Sequence, residues 1–308
     1  MSERAIGRHL CDAFHRVPPG SDTGFANAML EVCRRERADV VLPQSSFDLL
    51  GLAEAKDRFG GEGIAVMVCS PEAVRRSNDK AECYEMLHEI GVKAPAFRRV
   101  RGAEEVAGAA TELGYPGRDV CFKPVFSSGS RGFRVLSASA DRQRELLENR
   151  PGVAGAMQLG ELVELLPAAA GPELLVMELA AGGERTIDGI AEGGTIALGH
   201  PKTREAMRAG LAMFFQTLED PELMAIAERI VAELRLDHFF NIQLVGDHVI
   251  EVNPRISTIV YQEGLNLPYL GVRHALGELT ATELAELRDR VRPTRRALRY
   301  FDQVEWDE

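Results

Sequence analysis

The chain has 308 residues, 45% hydrophobic and 27% charged, enough for a large core and two or three packed lobes. Its formal charge of −11 argues against nonspecific nucleic-acid binding, and no stretch approaches the ~18 uninterrupted apolar residues of a membrane span. The five cysteines (Cys11, Cys33, Cys69, Cys83, Cys121) show no C-x-x-C spacing and residues 1–4 carry no apolar signal core, so neither a zinc site nor a disulfide framework is expected and the expected location is cytoplasmic.

In chain order, residues 26–37 read as a helix, 39–43 as a short buried strand ending at a proline, 47–59 as a helix and 63–68 as an apolar strand. Such alternation implies a parallel sheet with helices on its faces. Residues 2–10 carry neither the strand nor the glycine-rich turn with which such a lobe opens, so a shortened first lobe is expected. Residues 79–90 form a helix closed by Gly91, with Pro95 beyond. An extended stretch (96–100), a helix (103–113) and a strand (119–125) follow. A glycine/serine loop (127–132), a strand (133–137) and a helix (141–149) come next. Residues 151–172, rich in Ala, Gly and Pro, leave the helix within them open. A buried strand covers 174–179, two paired strands cover 184–191 and 195–199, and a helix covers 221–234. A hairpin around Gly246-Asp247 precedes helices near 265–277 and 281–290.

The hairpin carries the most chemistry. Side chains alternate faces along a strand, so Asn241 and Gln243 share one face, as do Glu251 and Asn253. A three-residue loop, 246–248, makes the two polar faces coincide. A two-residue turn would set Gln243 opposite Ile250 and scatter them. A carboxylate with two amide oxygens is a hard, oxygen-only set of the kind that suits magnesium; the plainer alternative is a solvated hairpin face. Pro254 then ends ladder pairing, and Arg255 is left at the strand exit with a guanidinium fitted to carboxylate or phosphate.

Other pieces are weaker singly. Lys123 lies at a strand end before Ser127, Ser128, Gly129, Ser130 and Gly132, where glycines let backbone N–H groups approach phosphate oxygens. It is not a Walker loop, and a plain hairpin loop is the alternative. Lys80 opens a helix beside Asn78 and Asp79, and could share a polyphosphate with Lys123 or be a surface charge. Glu178 ends an apolar strand that leads to a Gly-Gly turn and Glu184. His200, Lys202, Arg204 and Arg208 crowd cations into one stretch, either an anion-binding edge or a solvated loop. No G-x-G-x-x-G run appears between a strand and a helix, which disfavours a dinucleotide-binding oxidoreductase.

Taken in order, these pieces resemble the ATP-grasp superfamily: Asp79-Lys80, Phe122-Lys123-Pro124 with the 127–132 loop, Met177-Glu178-Leu179, Glu184 to Asp188, Phe240 to Gln243, and Ile250 to Ser257. The pattern looks most like the carbamoyl phosphate synthase large-subunit type. The stretch from Lys202-Thr203-Arg204 to Arg208-Ala209-Gly210 also resembles single-copy relatives of unknown substrate beside tellurium-resistance operons. The resemblance spans roughly residues 11 to 280.

It implies an α/β (α+β) ATP-grasp fold. Residues 1–77 would be a truncated Rossmann-like lobe, 78–178 a linker helix and lid, and 179–308 a larger C-terminal lobe with the metal site. It implies ATP with Mg²⁺ or Mn²⁺, small carboxylate and amine substrates, and no nucleic-acid or membrane partner, and leaves room for a homodimer. By position, Lys80 and Lys123 resemble the phosphate lysines and 127–132 the loop over the phosphates. Glu178, Leu179 and Ala180 resemble the adenine hinge, and Glu184 the ribose carboxylate. Gln243, Glu251 and Asn253 resemble the metal ligands and Arg255 the cation that steadies an acylphosphate. Lys202, Arg204 and Arg208 fall to the substrate side. Gln243 stands where many members have a second acidic residue, leaving one firm carboxylate. The implied activity is an ADP-forming carboxylate-amine ligase, with a non-catalytic ATP-binding subunit or regulatory module as the alternative.

Overall fold

The computed structural model describes residues 5–127, 131–148, 155–208, 210–257, 264–300 and 302–306. The first lobe runs α1 (Phe25–Glu36), β1 (Val40–Val41), α2 (Leu49–Gly60), β2 (Ala65–Val66) and α3 (Pro71–Asn78). β1 and β2 pair in parallel, Val40 with Ala65 and Val41 with Val66, so among the described residues the lobe's sheet has two strands. Helix α3 is not foreseen above, although its start is conventional. Ser70 caps it by accepting from the Ala73 amide, and Pro71 fills the first turn, where a missing N–H does no harm.

Helix α4 (Lys80–Glu89) follows at once, capped by the Asp79 carboxylate on the Ala81 and Glu82 amides. It links to a second unit of β3 (Phe97–Arg101), α5 (Gly102–Glu112), β4 (Val120–Pro124), β5 (Arg134–Leu136), α6 (Arg142–Glu148), β6 (Ala156–Met157), α7 (Leu159–Leu165) and β7 (Glu173–Glu178). Its five strands are ordered β3-β7-β4-β5-β6. One face is sealed by Val106, Ala110, Val120, Leu136 and Val176 in a core of its own.

The last unit holds β8 (Glu184–Glu192), β9 (Thr195–Thr203), β10 (Glu205–Arg208), β11 (Leu211–Gln216), α8 (Pro221–Glu233), β12 (His238–Val245), β13 (His248–Asn253), α9 (Leu267–Ala275), α10 (Ala281–Arg288) and β14 (Arg296–Leu298). β13-β12-β8-β9 form an antiparallel sheet. Its apolar face, with Ile187, Ile242, Leu244, Val249 and Val252, packs into the core that also holds α8 and Tyr84 of α4. A small antiparallel sheet β10-β11-β14 takes residues expected to be loop. No helix among the described residues is long and apolar enough to cross a membrane.

Candidate active site

The hairpin turn has two residues, not three: Val245 pairs with His248 and Leu244 with Val249. Left there, Gln243 would face Ile250. The register instead shifts between Gln243 and Leu244, and Gln243 pairs with Glu251. Ile250 is the extra residue of a β-bulge. The bulge restores the parity that an odd loop would have given, so Asn241 pairs with Asn253 and the four polar side chains share one face.

That face continues across the sheet. Asn241 is opposite Asp188 and Gln243 opposite Thr186 on β8, which are opposite His200 and Lys202 on β9. Asn241, absent from the expected site, organises it. Its amide donates to Thr186 Oγ1 at 2.6 Å and Asp188 Oδ1 at 2.8 Å. Its carbonyl accepts from Gln243 Nε2 at 2.8 Å and Asn253 Nδ2 at 3.2 Å. Gln243 Oε1 therefore points away from Asn241 and accepts from Arg204 Nη1. Lys202 lies in this layer, not on an exposed edge. It is 2.9 Å from Asp188, with both side chains 3% exposed.

Three cations, from α4, β4 and the segment after β13, lie within electrostatic reach of Glu251. Burial lowers Lys123 to about 8, against the attraction of Glu251, and Lys80 lowers it further. Burial also depresses Lys80 and Arg255, and in both Glu251 is the leading opposing influence. The Lys123 ammonium donates to Tyr84 Oη at 2.8 Å and to the carbonyl of bulged Ile250 at 3.2 Å. Tyr84 Oη donates to the same carbonyl at 2.7 Å. Tyr84, fully buried, thus ties α4, β4 and the hairpin together. On an amphipathic helix it reads as plain core, and no local signal marks it. The Lys80 ammonium donates to the carbonyls of Val125 (3.3 Å) and Ser127 (2.7 Å), holding the stem of the glycine/serine loop. Ser128, Gly129 and Ser130 lie outside the described residues; Gly132 packs on the Pro124 ring.

Arg255 reaches the first lobe. Its Nε donates to Ser46 Oγ at 2.9 Å, and Nη2 lies 3.4 Å from Asn253 Oδ1. Glu178 ends β7 with its carboxylate 3.1 Å from Arg118 and leads into Leu179 and Ala180. Glu184 begins β8, 3.6 Å from Arg204. Arg208 ends β10, opposite Leu211. Among the described residues no three His, Cys, Asp or Glu side chains form a metal cluster. An oxygen set of Glu251, Asn253 and the second lone pair of Gln243 is still compatible with magnesium, which takes few protein carboxylates and fills its shell with water and phosphate. Glu251 suits that task, because it accepts no hydrogen bond among the described residues.

The chain resembles known proteins in sequence and in shape. The family described as "ATP-grasp in the biosynthetic pathway with Ter operon" matches residues 170–296. The carbamoyl phosphate synthase large chain of Rubrobacter xylanophilus is 30% identical over 262 residues, 82% of this chain. The chain spans 24% of that relative's length. The biotin carboxylase domain of Hydrogenobacter thermophilus 2-oxoglutarate carboxylase, solved with MgADP, ADP and bicarbonate, superposes with a TM-score of 0.65 at 17% identity, covering 89% of this chain and 62% of that one. The L-amino acid ligase of Bacillus licheniformis gives 0.58 at 16% identity, covering 91% and 66%. The family match over residues 170–296, with these likenesses in sequence and shape, shows that the chain carries an ATP-grasp domain.

Proposed function

We propose that the chain is an ATP-dependent ligase that joins a carboxylic acid to an amine through an acylphosphate, releasing ADP and phosphate. One observation carries it: the Glu251 carboxylate, without a hydrogen-bond donor among the described residues, lines one cavity with Lys80 and lies within electrostatic reach of Lys80, Lys123 and Arg255. A carboxylate within reach of three cations suits a metal-chelated polyphosphate, where charge of both signs must be met at once.

In this reading residues 1–77 form the first lobe, 78–178 the linker and lid, and 179–308 the metal-bearing lobe. Glu178, Leu179 and Ala180 take the adenine and Glu184 the ribose. Lys80, Lys123, Ser127 and the loop to Gly132 hold the phosphates. Glu251, Asn253 and Gln243 would hold magnesium or manganese, which supplies charge neutralisation at the phosphates. The carboxylate oxygen attacks the γ-phosphorus and the bond to the β–γ bridging oxygen breaks, leaving ADP. The amine nitrogen then attacks the acyl carbon, phosphate departs with the bonding electrons, and the nitrogen loses a proton. No enzymic nucleophile is needed, because positioning and charge neutralisation suffice. Arg255 meets the charge of the acylphosphate.

The test is ADP release that depends on an added carboxylic acid. Glu251→Ala abolishes it in a chain that still folds; full turnover by that variant would sink the metal assignment. A nucleotide-binding module without turnover is the rival, and the two-stranded sheet of the first lobe favours it. ATP binding with no ADP formed from any acid would decide for that rival.

A further inference from the structure

A cavity of about 850 Å³ lies between the first lobe and the hairpin, bounded by α1 to α4, β13 and the Phe126–Ser127 segment. Its lining includes Lys80, Ser127, Glu251 and Asn253, the groups that handle phosphate in the reading above. The rest of its walls are mixed, with Phe25, Leu50 and Val252 beside Asp22, Glu54 and Glu82. Two more rings stand at its sides, Phe47 from the first lobe and Phe126 from the lid. They are 55% and 62% exposed, and the Arg131 guanidinium lies over the Phe47 ring at 5.7 Å.

We propose that the acid substrate is a carboxylic acid with an apolar, ring-sized body, clasped between Phe47 and Phe126 with its carboxylate toward Lys80. This rests on the ligase reading and adds the substrate class. Ligand sites are commonly apolar, with a few convergent polar groups that fix orientation. Here Lys80, which holds the Ser127 carbonyl at 2.7 Å, sets the wall toward which the carboxylate of the acid points. Two other cations line the cavity, but Arg75 pairs with Glu54 and Arg58 donates to Asn27 Oδ1 at 2.7 Å. Both are thus engaged by neighbouring side chains, whereas the Lys80 ammonium meets only backbone carbonyls among the described residues.

The Phe47 loop is held to the chemistry. Arg255 donates to Ser46 Oγ at 2.9 Å and Asn78 Nδ2 to the Ser46 carbonyl at 3.3 Å. Gly20 lies against the same loop, where a Cβ would fall 2.4 Å from the Phe47 carbonyl oxygen. The ring at the cavity wall and the guanidinium at the strand exit therefore share one short segment, residues 46–47. An acid that fills the space beside Phe47 lies within reach of the cations around Glu251.

The test is equilibrium dialysis of 3-phenylpropanoate and succinate against the full chain, with magnesium and a non-hydrolysable ATP analogue. ADP release is measured in parallel with ATP and each acid. Burying one ring is worth about tenfold or more in affinity, so 3-phenylpropanoate binds at least about tenfold tighter than succinate. Phe47→Ala and Phe126→Ala each weaken it by a similar factor, while the KM for ATP holds. Both rings are exposed, so an unchanged melting temperature confirms that the variants fold. Succinate binding as tightly as 3-phenylpropanoate, or indifference to both substitutions, overturns the proposal. Phe47-dependent binding without any ADP upholds the apolar site and fails only the ligase reading. ADP release driven by succinate, with 3-phenylpropanoate unbound, does the reverse.

Discussion

Replacing Asp188 by asparagine takes the paired carboxylate from a buried ammonium. Lys202 lies 2.9 Å from Asp188, and each side chain is 3% exposed, so solvent cannot screen a broken pair. Removing one partner of such a pair costs about 3–5 kcal/mol, a large share of the roughly 5–15 kcal/mol that holds a folded chain. With an m-value near 3 kcal/mol/M, the urea midpoint falls by roughly 1 M or more. The substituted amide keeps an acceptor for Asn241, so the loss reports the ion pair and not the amide network. Burial already lowers Lys202 from its ordinary value, with Asp188 opposing, and the variant deepens that depression. Between its folded value and the unfolded ~10.4, the unfolded chain binds more protons, so stability rises with pH there. The deficit of Asp188→Asn is therefore greatest near neutrality and shrinks on the way to pH ~10. Adding Lys202→Met removes the buried charge and recovers most of the loss. Urea unfolding followed by circular dichroism at several pH values measures all of this. A loss below about 1 kcal/mol, or a double variant no more stable than the single one, would refute the reasoning.

Lys123, lowered to about 8, makes nucleotide binding pH-dependent. Affinity holds below that value and falls above it as the ammonium is lost, approaching about tenfold per pH unit. Lys123→Arg keeps its charge and flattens the profile; ADP titrations from about pH 7 to pH 9.5 decide, and a flat wild-type profile rules the role out. Gly189→Ala is a packing test. Its Cβ would lie 2.4 Å from the Leu198 carbonyl oxygen and 2.6 Å from the Phe240 ring, between paired strands β8 and β9 that cannot part without losing ladder bonds. The variant loses about 2 kcal/mol or more; a change under about 0.5 kcal/mol in urea unfolding would mean the sheet yields there freely.

Much of the fold is legible because its elements are long and periodic. Helices α1, α2, α4, α5 and α8 and the paired strands β8 and β9 carry their own apolar patterns and stops. Elements that depend on distant partners are not. β14 pairs with β11 across most of the C-terminal lobe, and three residues of Arg-Ala-Leu carry no strand signal of their own. The same limit applies to the site. Lys202 looks like a surface cation among cations until the register puts Asp188 beside it. Asn241 looks like one more polar residue until its amide proves to connect Asp188, Thr186, Gln243 and Asn253.

The hairpin shows the physical reason most sharply. Alternation requires Gln243 and Glu251 to share a face if they are to act together, but hydropathy cannot say whether the turn or the ladder supplies the odd residue. A one-residue slip would send every side chain of one strand to the other face. The chain places the extra residue at Ile250, within the strand, and a bulge turns a backbone carbonyl out of the ladder. That carbonyl must be satisfied, and Tyr84 and Lys123 satisfy it. A three-residue loop would align Gln243, Glu251 and Asn253 equally well, yet leave Ile250 paired within the sheet and Lys123 without this anchor. The irregularity that brings Gln243, Glu251 and Asn253 onto one face is thus also the joint that fixes Lys123 at the Ile250 carbonyl.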